Sequence, residues 1–302
     1  MPYHSTRELA ESFDPGYEGR FQHNFGWQPQ PGQSRKTFRP FPEDLPKAEA
    51  THQNPLSERV SEHIRRLYAA DIRFLDDQVS RLVDATRARY GESLIIVLAA
   101  DHGESLGEHD YFFDHGDYTY NAGLRIPLAI VLPPKHPLHG SGRCPGWVSL
   151  VDVAPTLFDL LDSETPATVS AQMEGRSLVR CLEGKSLQTQ PVFAESGHSF
   201  YFDHVDRRVR NDVDGRFRAV ILDGWKLVLT PFLPDEEAWE LFDLKRDPHE
   251  EENLFRDDHP EFRRLRSHLG EWLKSGRESS AETAISAEAD DQEALRALGY
   301  IE

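Results

Sequence analysis

The sequence predicts an α/β protein, with a buried, mostly parallel sheet in its first half and a smaller α+β unit with an antiparallel sheet behind it. Three observations carry that reading. Leu94–Ala100 and Ile126–Leu132 are unbroken apolar runs of strand length, the pattern of strands covered on both faces. Residues at helical spacing precede the first run and follow the second, which is α/β order. Past residue 165 the texture changes, and Asp223-Gly224 between two apolar stretches is a two-residue hairpin signal.

Taken in order, residues 1–22 read as a loop and turn broken at Asp14-Pro15-Gly16. Residues 23–57 carry Pro29, Pro31, Pro40, Pro42, Pro46 and Pro55 among polar residues, a long surface excursion. Val60, Ile64, Leu67, Tyr68, Leu75, Val79, Leu82 and Val83 then recur at helical spacing. One long amphipathic helix is expected to run to Tyr90, stop at Gly91 and pack on a face of the sheet. Asp76-Asp77 inside it reads as a solvated pair rather than as ligands. Pro127 fits a strand start, and Asp152 is expected to cap the next helix, with Pro155 in its first turn.

In the second part, Phe217–Leu222 and Trp225–Thr230 form the hairpin and Trp239–Leu244 adds a strand. Pro260 opens a helix with Phe262, Leu265, Leu269, Trp272 and Leu273 on one side. Residues 275–292 are rich in Ser, Glu and Ala and are expected to be mobile. The expected units are 1–165, 166–274 and a tail, 275–302.

Composition narrows the function. The 302 residues hold 34 Lys and Arg against 52 Asp and Glu, a formal charge of −18. Such a surface repels phosphate backbones and anionic lipid, so no nucleic-acid or membrane partner is expected. No apolar run is long enough to span a bilayer. Two cysteines exclude a disulfide-dense scaffold and a multi-cysteine zinc module, and Cys144 and Cys181 are expected as free thiols rather than as a bridge.

The chemistry concentrates in Asp101–Asp117, where nine of 17 residues are Asp, Glu or His. The segment starts where the first apolar run ends, and ligands in open α/β sheets bind at the carboxyl ends of strands. Asp101 and His102 offer an oxygen and an imidazole there, with Gly103 allowing a sharp turn behind them, a donor set for a divalent cation. His109 and His115 recur through the segment.

Asp101-His102-Gly103-Glu104-Ser105-Leu106-Gly107-Glu108-His109 resembles the second metal-binding motif of sulfatases in the alkaline phosphatase superfamily. The resemblance continues through Tyr68–Val79, Asp114-His115-Gly116, Tyr120 and Leu124–Leu128. It extends to Leu150–Leu157, Glu240–Leu244 with Asp247-Pro248 and Glu252-Asn253-Leu254, and Arg296–Tyr300. It implies an alkaline-phosphatase-like sandwich and a metal-dependent hydrolase of small-molecule or glycan sulfate esters. It makes Asp101 and His102 ligands of a divalent metal, calcium first and manganese or zinc as alternatives. His115 stands where many relatives have a substrate-contacting Lys, and is expected to donate to the substrate anion. Arg125 is expected as a structural ion-pair partner. An Asp-His pair also occurs among phosphonate and phosphate ester hydrolases of the superfamily, which keeps a phosphodiesterase or phosphonate monoester hydrolase open. A non-catalytic, metal-stabilised binding domain is a further alternative.

The resemblance implies a formylglycine nucleophile made from Cys or Ser within Cys/Ser-x-Pro/Ala-x-Arg. No pentapeptide of the chain fits, Cys144-Pro145-Gly146-Trp147-Val148 and Cys181-Leu182-Glu183-Gly184-Lys185 included. Pro2-Tyr3 ahead of Phe13–Gly19 resembles a His-x-Pro-Tyr segment and the stretch after it, with the His falling just before Met1. The expectation is therefore the C-terminal part of a longer sulfatase, inactive alone, with formylglycine and a further Asp pair upstream. The default location is cytoplasmic unless an upstream segment carries a signal peptide.

Overall fold

The structure, a computed structural model, describes residues 3–4, 6–19, 21–22, 24–25, 57–116, 118–163, 167–199, 216–230 and 233–282. Most of the Pro-rich excursion and the chain end past 282 lie outside the described residues.

The N-terminal elements are β1 (Tyr3–His4), α1 (Arg7–Phe13) and β2 (Asn24–Phe25), with β1 and β2 antiparallel. The loop expected over residues 1–22 thus contains a helix. Thr6 caps it by accepting the Leu9 N–H, a Thr N-cap signal ahead of Glu8 that the turn at Asp14-Pro15-Gly16 overshadowed. The long helix α2 (Glu58–Tyr90) is capped by Ser57 and stopped at Gly91, whose φ of 78° suits glycine. Asp76 and Asp77 are exposed on it and pair with Arg73, the solvated reading.

Burial on α2 is confined to its first half, at Ser61, His63, Ile64, Leu67 and Ala70. That half packs against α1 and β1, where Ile64 and Leu67 join Tyr3, Ala10 and Phe113 in one apolar cluster. The buried Asp14 carboxylate accepts from Arg59, Arg66 and the His63 ring, tying the turn after α1 to the helix. The second half leaves Leu75, Leu82 and Tyr90 exposed. Packing of the whole helix on a sheet face is not what the structure has.

Next come β3 (Ile96–Ala99), β4 (Ser105–Leu106), β5 (Phe112–Asp114), α3 (Asn121–Leu124) and β6 (Leu128–Val131). The two apolar runs are strands and neighbours, but β3 pairs β6 antiparallel, Ile96 opposite Val131, and not in a parallel sheet. Leu98 is 47% and Val131 43% exposed, so neither run is covered on both faces here. An apolar run encodes a surface that prefers cover, not the direction of its neighbour, and that is why the parallel expectation failed.

The chain continues through α4 (Val153–Leu160), α5 (Ala167–Ser170) and α6 (Val179–Leu182). Asp152 does not cap α4 with its side chain. It accepts instead from the Ser149 and Arg176 N–H groups, joining two segments. Arg176 also donates to the carbonyls of Trp147 and Gln188. These bonds hold Cys144 and Cys181 with Cα atoms 5.5 Å apart, and the two form a disulfide. The free-thiol expectation is thereby corrected. Sequence spacing could not show that two loops 37 residues apart are brought together by Asp152 and Arg176.

The last unit is an antiparallel sheet, with β7 (Val192–Ser199), β8 (Arg216–Leu222), β9 (Trp225–Leu229), a turn of helix α7 (Asp235–Ala238) and β10 (Trp239–Asp243). Strand order is β10-β9-β8-β7, and the β8–β9 hairpin turns at Asp223-Gly224, both at positive φ as a type I′ turn requires. Helix α8 (Pro260–Glu282) covers one face, Phe262, Leu265 and Leu269 packing on Val220, Leu222, Leu227 and Leu241. It runs through 275–282, which the Ser/Glu/Ala composition had suggested would be mobile. The other face, Ala219, Ile221, Val228, Phe242 and Leu244, packs against Tyr120, Leu124 and Trp147. The two faces follow from alternation along each strand. The second is what brings the 118–124 segment, and with it the acidic-histidine loop, against the C-terminal sheet.

The disulfide closes a loop of 37 residues, which corresponds to about 2–4 kcal/mol. Cys144→Ser with Cys181→Ser is expected to lower urea-denaturation stability by roughly that amount. Thiol titration of unfolded, unreduced protein should find no free cysteine, and two free thiols would refute the bridge.

Candidate anion and metal site

Asp101 follows β3 directly, and β4 and β5 fold the next residues back as a short hairpin, Ser105 opposite Asp114. The hairpin returns His115 to His102. Their rings stack with centroids 3.9 Å apart and planes 18° apart. Asp101 Oδ1 accepts the His102 N–H at 3.0 Å, and its Oδ2 lies 3.7 Å from His102 Nε2. Asp101, His102 and His115 therefore share one locality, with Asp101 the most exposed of them at 84% of its side chain.

Glu104 completes the cluster. Its Oε2 bonds the His115 Nδ1 at 2.7 Å, and its Oε1 accepts the Tyr3 hydroxyl at 2.5 Å. His102, Glu104 and His115 each offer a ligand atom, all within 4.8 Å of one another. His102 Nδ1 donates to the Gly103 carbonyl at 2.8 Å, which leaves Nε2 as the nitrogen with a lone pair. Burial opposes ionisation of Glu104, but the hydrogen bonds from His115 and Tyr3 outweigh it and hold the carboxyl below its ordinary range. The same bond raises the His115 pKa against the opposing pull of burial. Burial, aided by Glu104, raises the Tyr3 pKa and keeps it a neutral donor.

Sequence reasoning did not single out Glu104 or Tyr3 as members. Glu104 lay within the motif, but nothing in the spacing says its carboxylate turns toward His115. Tyr3 is 101 residues away and reaches Glu104 only because Ile64, Leu67 and Phe113 hold its ring. His109, by contrast, does not join. Its backbone sits at φ 53°, its ring stacks on Tyr120 at 3.7 Å, and its Nε2 lies 4.0 Å from Glu250. A cavity of about 10 Å³, room for about one water, lies among Ser105, His109, Asp114, His115, Tyr118 and Tyr120. Arg125 is exposed, and no ion pair of its side chain occurs among the described residues.

Gly103 has a different reason from the turn expected of it. Its N–H donates to the Gly123 carbonyl at 2.7 Å, and a Cβ there would stand 2.1 Å from the Ala122 oxygen. Only glycine lets α3 come this close. Ser105, the hydroxyl in this loop, is buried and donates to the Tyr111 carbonyl at 2.6 Å, so it is not poised as a nucleophile.

Below the loop lies a buried polar layer on the sheet. Lys226 of β9 is fully buried, and its Nζ donates to Glu250 Oε1 and, at 3.2 Å, to Asn121 Oδ1. Glu250 Oε2 accepts the Asn121 N–H at 2.7 Å. Tyr120 donates to Glu240 at 2.7 Å. Burial lowers the Lys226 pKa, with Glu250 opposing, and burial raises that of Glu240.

The family described as "N-sulphoglucosamine sulphohydrolase, C-terminal" matches residues 107–279, and the family described as "Sulfatase" matches residues 34–163. The chain belongs to the sulfatase family. It is 34% identical over 200 residues to the choline-sulfatase of Rhizobium meliloti (strain 1021), covering 63% of this chain and 33% of that protein. It is 31% identical over 247 residues to the multifunctional alkaline phosphatase superfamily protein PehA of Trinickia caryophylli, covering 71% of this chain and 45% of that protein. The chain thus spans between a third and a half of the length of these relatives.

Among solved structures, the phosphonate monoester hydrolase of Agrobacterium radiobacter superposes with a TM-score of 0.54 at 23% identity, covering 74% of this chain and 43% of that one. A protein solved in complex with its substrate D-glucosamine-2-N,6-O-disulfate gives 0.52 at 23%, covering 81% and 45%. At these identities the likeness establishes the fold, and the alkaline-phosphatase-like α/β class is that fold. No helix among the described residues of this sulfatase-family chain is long and apolar enough to cross a membrane.

The Glu104–His115 bond makes stability depend on pH in a defined window. The raised His115 pKa gives a contribution complete below about 6.5 and lost as pH rises through the folded value. The lowered Glu104 pKa gives one present above about 4.3 and lost as pH falls through its folded value. The melting-temperature difference between the parent and Glu104→Gln is therefore expected to be largest between about pH 4.3 and 6.5 and to shrink on both sides. Calorimetry giving a pH-independent difference would contradict the pairing. Gly103→Ala is expected to cost about 1–3 kcal/mol in chemical denaturation through the clash with Ala122. A neutral result would show that α3 is not in contact there.

Proposed function

We propose that this chain is the part of a sulfate-ester hydrolase that carries one side of its metal and anion site, acting on a small-molecule or glycan sulfate ester. The observation that carries the reading is the convergence of Asp101, His102 and His115 at the end of β3, with Glu104 holding His115. Asp101 and His102 would hold a divalent cation, through a carboxylate oxygen and the Nε2 lone pair. When bound, that cation supplies charge neutralisation for the ester anion. An imidazole beside one accessible carboxylate suits manganese or zinc better than calcium, which takes six to eight oxygens.

The chain's own residues then divide the work. His115, with Nδ1 on Glu104, is oriented and kept protonated, and it donates from Nε2 to an anionic oxygen of the ester. Tyr3 holds the second Glu104 oxygen, so the carboxylate cannot swing away from His115. The ring of His102 stacks on His115 and fixes the spacing between the cation-holding and anion-holding nitrogens.

The attacking group is proposed to be a formylglycine supplied by polypeptide outside these residues, since no Cys/Ser-x-Pro/Ala-x-Arg occurs among the 302. A second reading, a phosphonate or phosphate ester as substrate, rests on one observation, the Asp101-His102 pair itself, which resembles the pair of the superfamily's phosphonate and phosphate ester hydrolases.

Expressed alone, the chain is expected to release no measurable phenol from an aryl sulfate or an aryl phosphonate. A version extended upstream through a formylglycine motif, matured in the cell, is expected to turn one of them over. Equal turnover by both would overturn the assignment of the nucleophile. Turnover of neither, with a cation still bound, would favour the non-catalytic, metal-stabilised binding domain. In the extended protein, His115→Ala is expected to lower kcat about 100- to 1,000-fold, the cost of one anion-stabilising donor. By calorimetry on the 302-residue chain, Mn2+ should bind more tightly than Ca2+, and Asp101→Ala should weaken it. Tight Ca2+ binding indifferent to Asp101→Ala would refute the ligand assignment.

A further inference from the structure

Among the described residues, no bond joins the buried Lys226–Glu250 pair directly to His102, Glu104 or His115, although Glu250 Oε2 lies 4.0 Å from His109 Nε2 of the same loop. An unbroken set of bonds nevertheless joins them. Lys226 Nζ bonds both Glu250 and the Asn121 side chain. Glu250 Oε2 takes the Asn121 N–H at 2.7 Å, and Asn121 Nδ2 donates to the Pro248 carbonyl at 3.3 Å. Asn121 is the first residue of α3, and Gly123 in the same turn takes the Gly103 N–H at 2.7 Å. Gly103 lies between His102, whose Nδ1 bonds the Gly103 carbonyl, and Glu104, which holds His115. Glu250 itself is buried at φ 61°, a backbone conformation that an L side chain adopts rarely and that its two bonded oxygens hold in place.

We propose that Lys226 and Glu250 are positioning residues for the histidine–carboxylate cluster, acting through Asn121 and α3 on the Gly103 backbone. The proposal rests on the reading of that cluster as a cation and anion site. Its physical content is an anchor. The Asn121 N–H is at a helix start and has no acceptor within the helix, and Glu250, in the turn after β10, supplies one. Lys226 keeps that carboxylate aimed, because its Nζ bonds Oε1 and leaves Oε2 for the Asn121 N–H. With the anchor in place, α3 presents Gly123 at the one position where Gly103 can meet it. Without the anchor, His102 and Glu104 lose their common reference while the hydrophobic sheet remains.

The test compares two double variants of the 302-residue chain that both remove the buried charges. Lys226→Met with Glu250→Gln keeps an oxygen for the Asn121 N–H. Lys226→Met with Glu250→Leu keeps similar volume and loses it. Hydrogen exchange at the Gly103 amide, with Val220 and Leu227 as internal references, reads the anchor directly, and Mn2+ calorimetry reads the cluster. Expected for the Gln variant is Gly103 exchange and Mn2+ affinity within about 3-fold of the parent. Expected for the Leu variant is Gly103 exchange about 10-fold faster and Mn2+ affinity about 10-fold weaker, with Val220 and Leu227 unchanged. Equal behaviour of the two variants at Gly103 would overturn the proposal. So would faster exchange spread evenly over Gly103, Val220 and Leu227, the mark of a plain core contact. A parent chain that binds no Mn2+ would defeat the cation reading instead, and Gly103 exchange would still decide the positioning.

Discussion

A lysine with no exposed surface sets a strong constraint on everything around it. Moving an ammonium group out of water costs several kcal/mol, and only a well-placed partner returns it. In this chain Lys226 sits in the middle of the best-packed sheet, and its partners come from two other places, Glu250 after β10 and Asn121 ahead of β6. The pair therefore does more than neutralise charge. It makes the C-terminal sheet and the turn after the acidic-histidine loop parts of one packed unit, which the apolar contacts of Tyr120, Leu124 and Trp147 with that sheet then extend.

The site above inherits its order from below and from the side. Gly103 is pinned to α3, Tyr3 is pinned by the apolar cluster on α2, and Glu104 is held between Tyr3 and His115. Each contact limits a freedom that a surface loop of carboxylates and imidazoles would otherwise have. The electrostatics follow. Glu104, more buried than His115, is held below its ordinary pKa range by two donors, and its charge favours protonation of His115. Asp101, at the solvent edge, remains available for a ligand. A sulfatase-family chain thus gathers a carboxylate and two imidazoles at the base of one short hairpin, the arrangement on which the proposed cation and anion site rests.

Much of this was legible before the structure, and what was not has physical reasons. The hairpin at Asp223-Gly224, the helix opened by Pro260, and the strands at 96–99 and 128–131 follow from local signals: turn chemistry, caps and apolar runs. The grouping of Asp101, His102 and His115 followed from a motif with a family resemblance. Strand direction did not follow, because antiparallel and parallel neighbours bury the same apolar run. Nor did the Cys144–Cys181 bridge, the Tyr3–Glu104 bond or the Lys226–Glu250–Asn121 bonds. All of these join residues far apart in sequence, and no local pattern encodes which distant partner a buried polar group finds. His109 shows that a place in the motif does not fix a place in the cluster. It is in the motif, yet its left-handed backbone turns it to Tyr120 and away from the other two histidines.

Asp101 and His102 are proposed to form one side of a cation site beside His115. Anomalous scattering from crystals of the chain soaked in Mn2+ tests it most directly. The account predicts a peak at bonding distance, about 2.0–2.3 Å, from an Asp101 oxygen and from His102 Nε2. It also predicts that His115 Nδ1 still bonds Glu104 in the same map. A peak elsewhere on the chain, with Asp101 and His102 unliganded at saturating Mn2+, would contradict it.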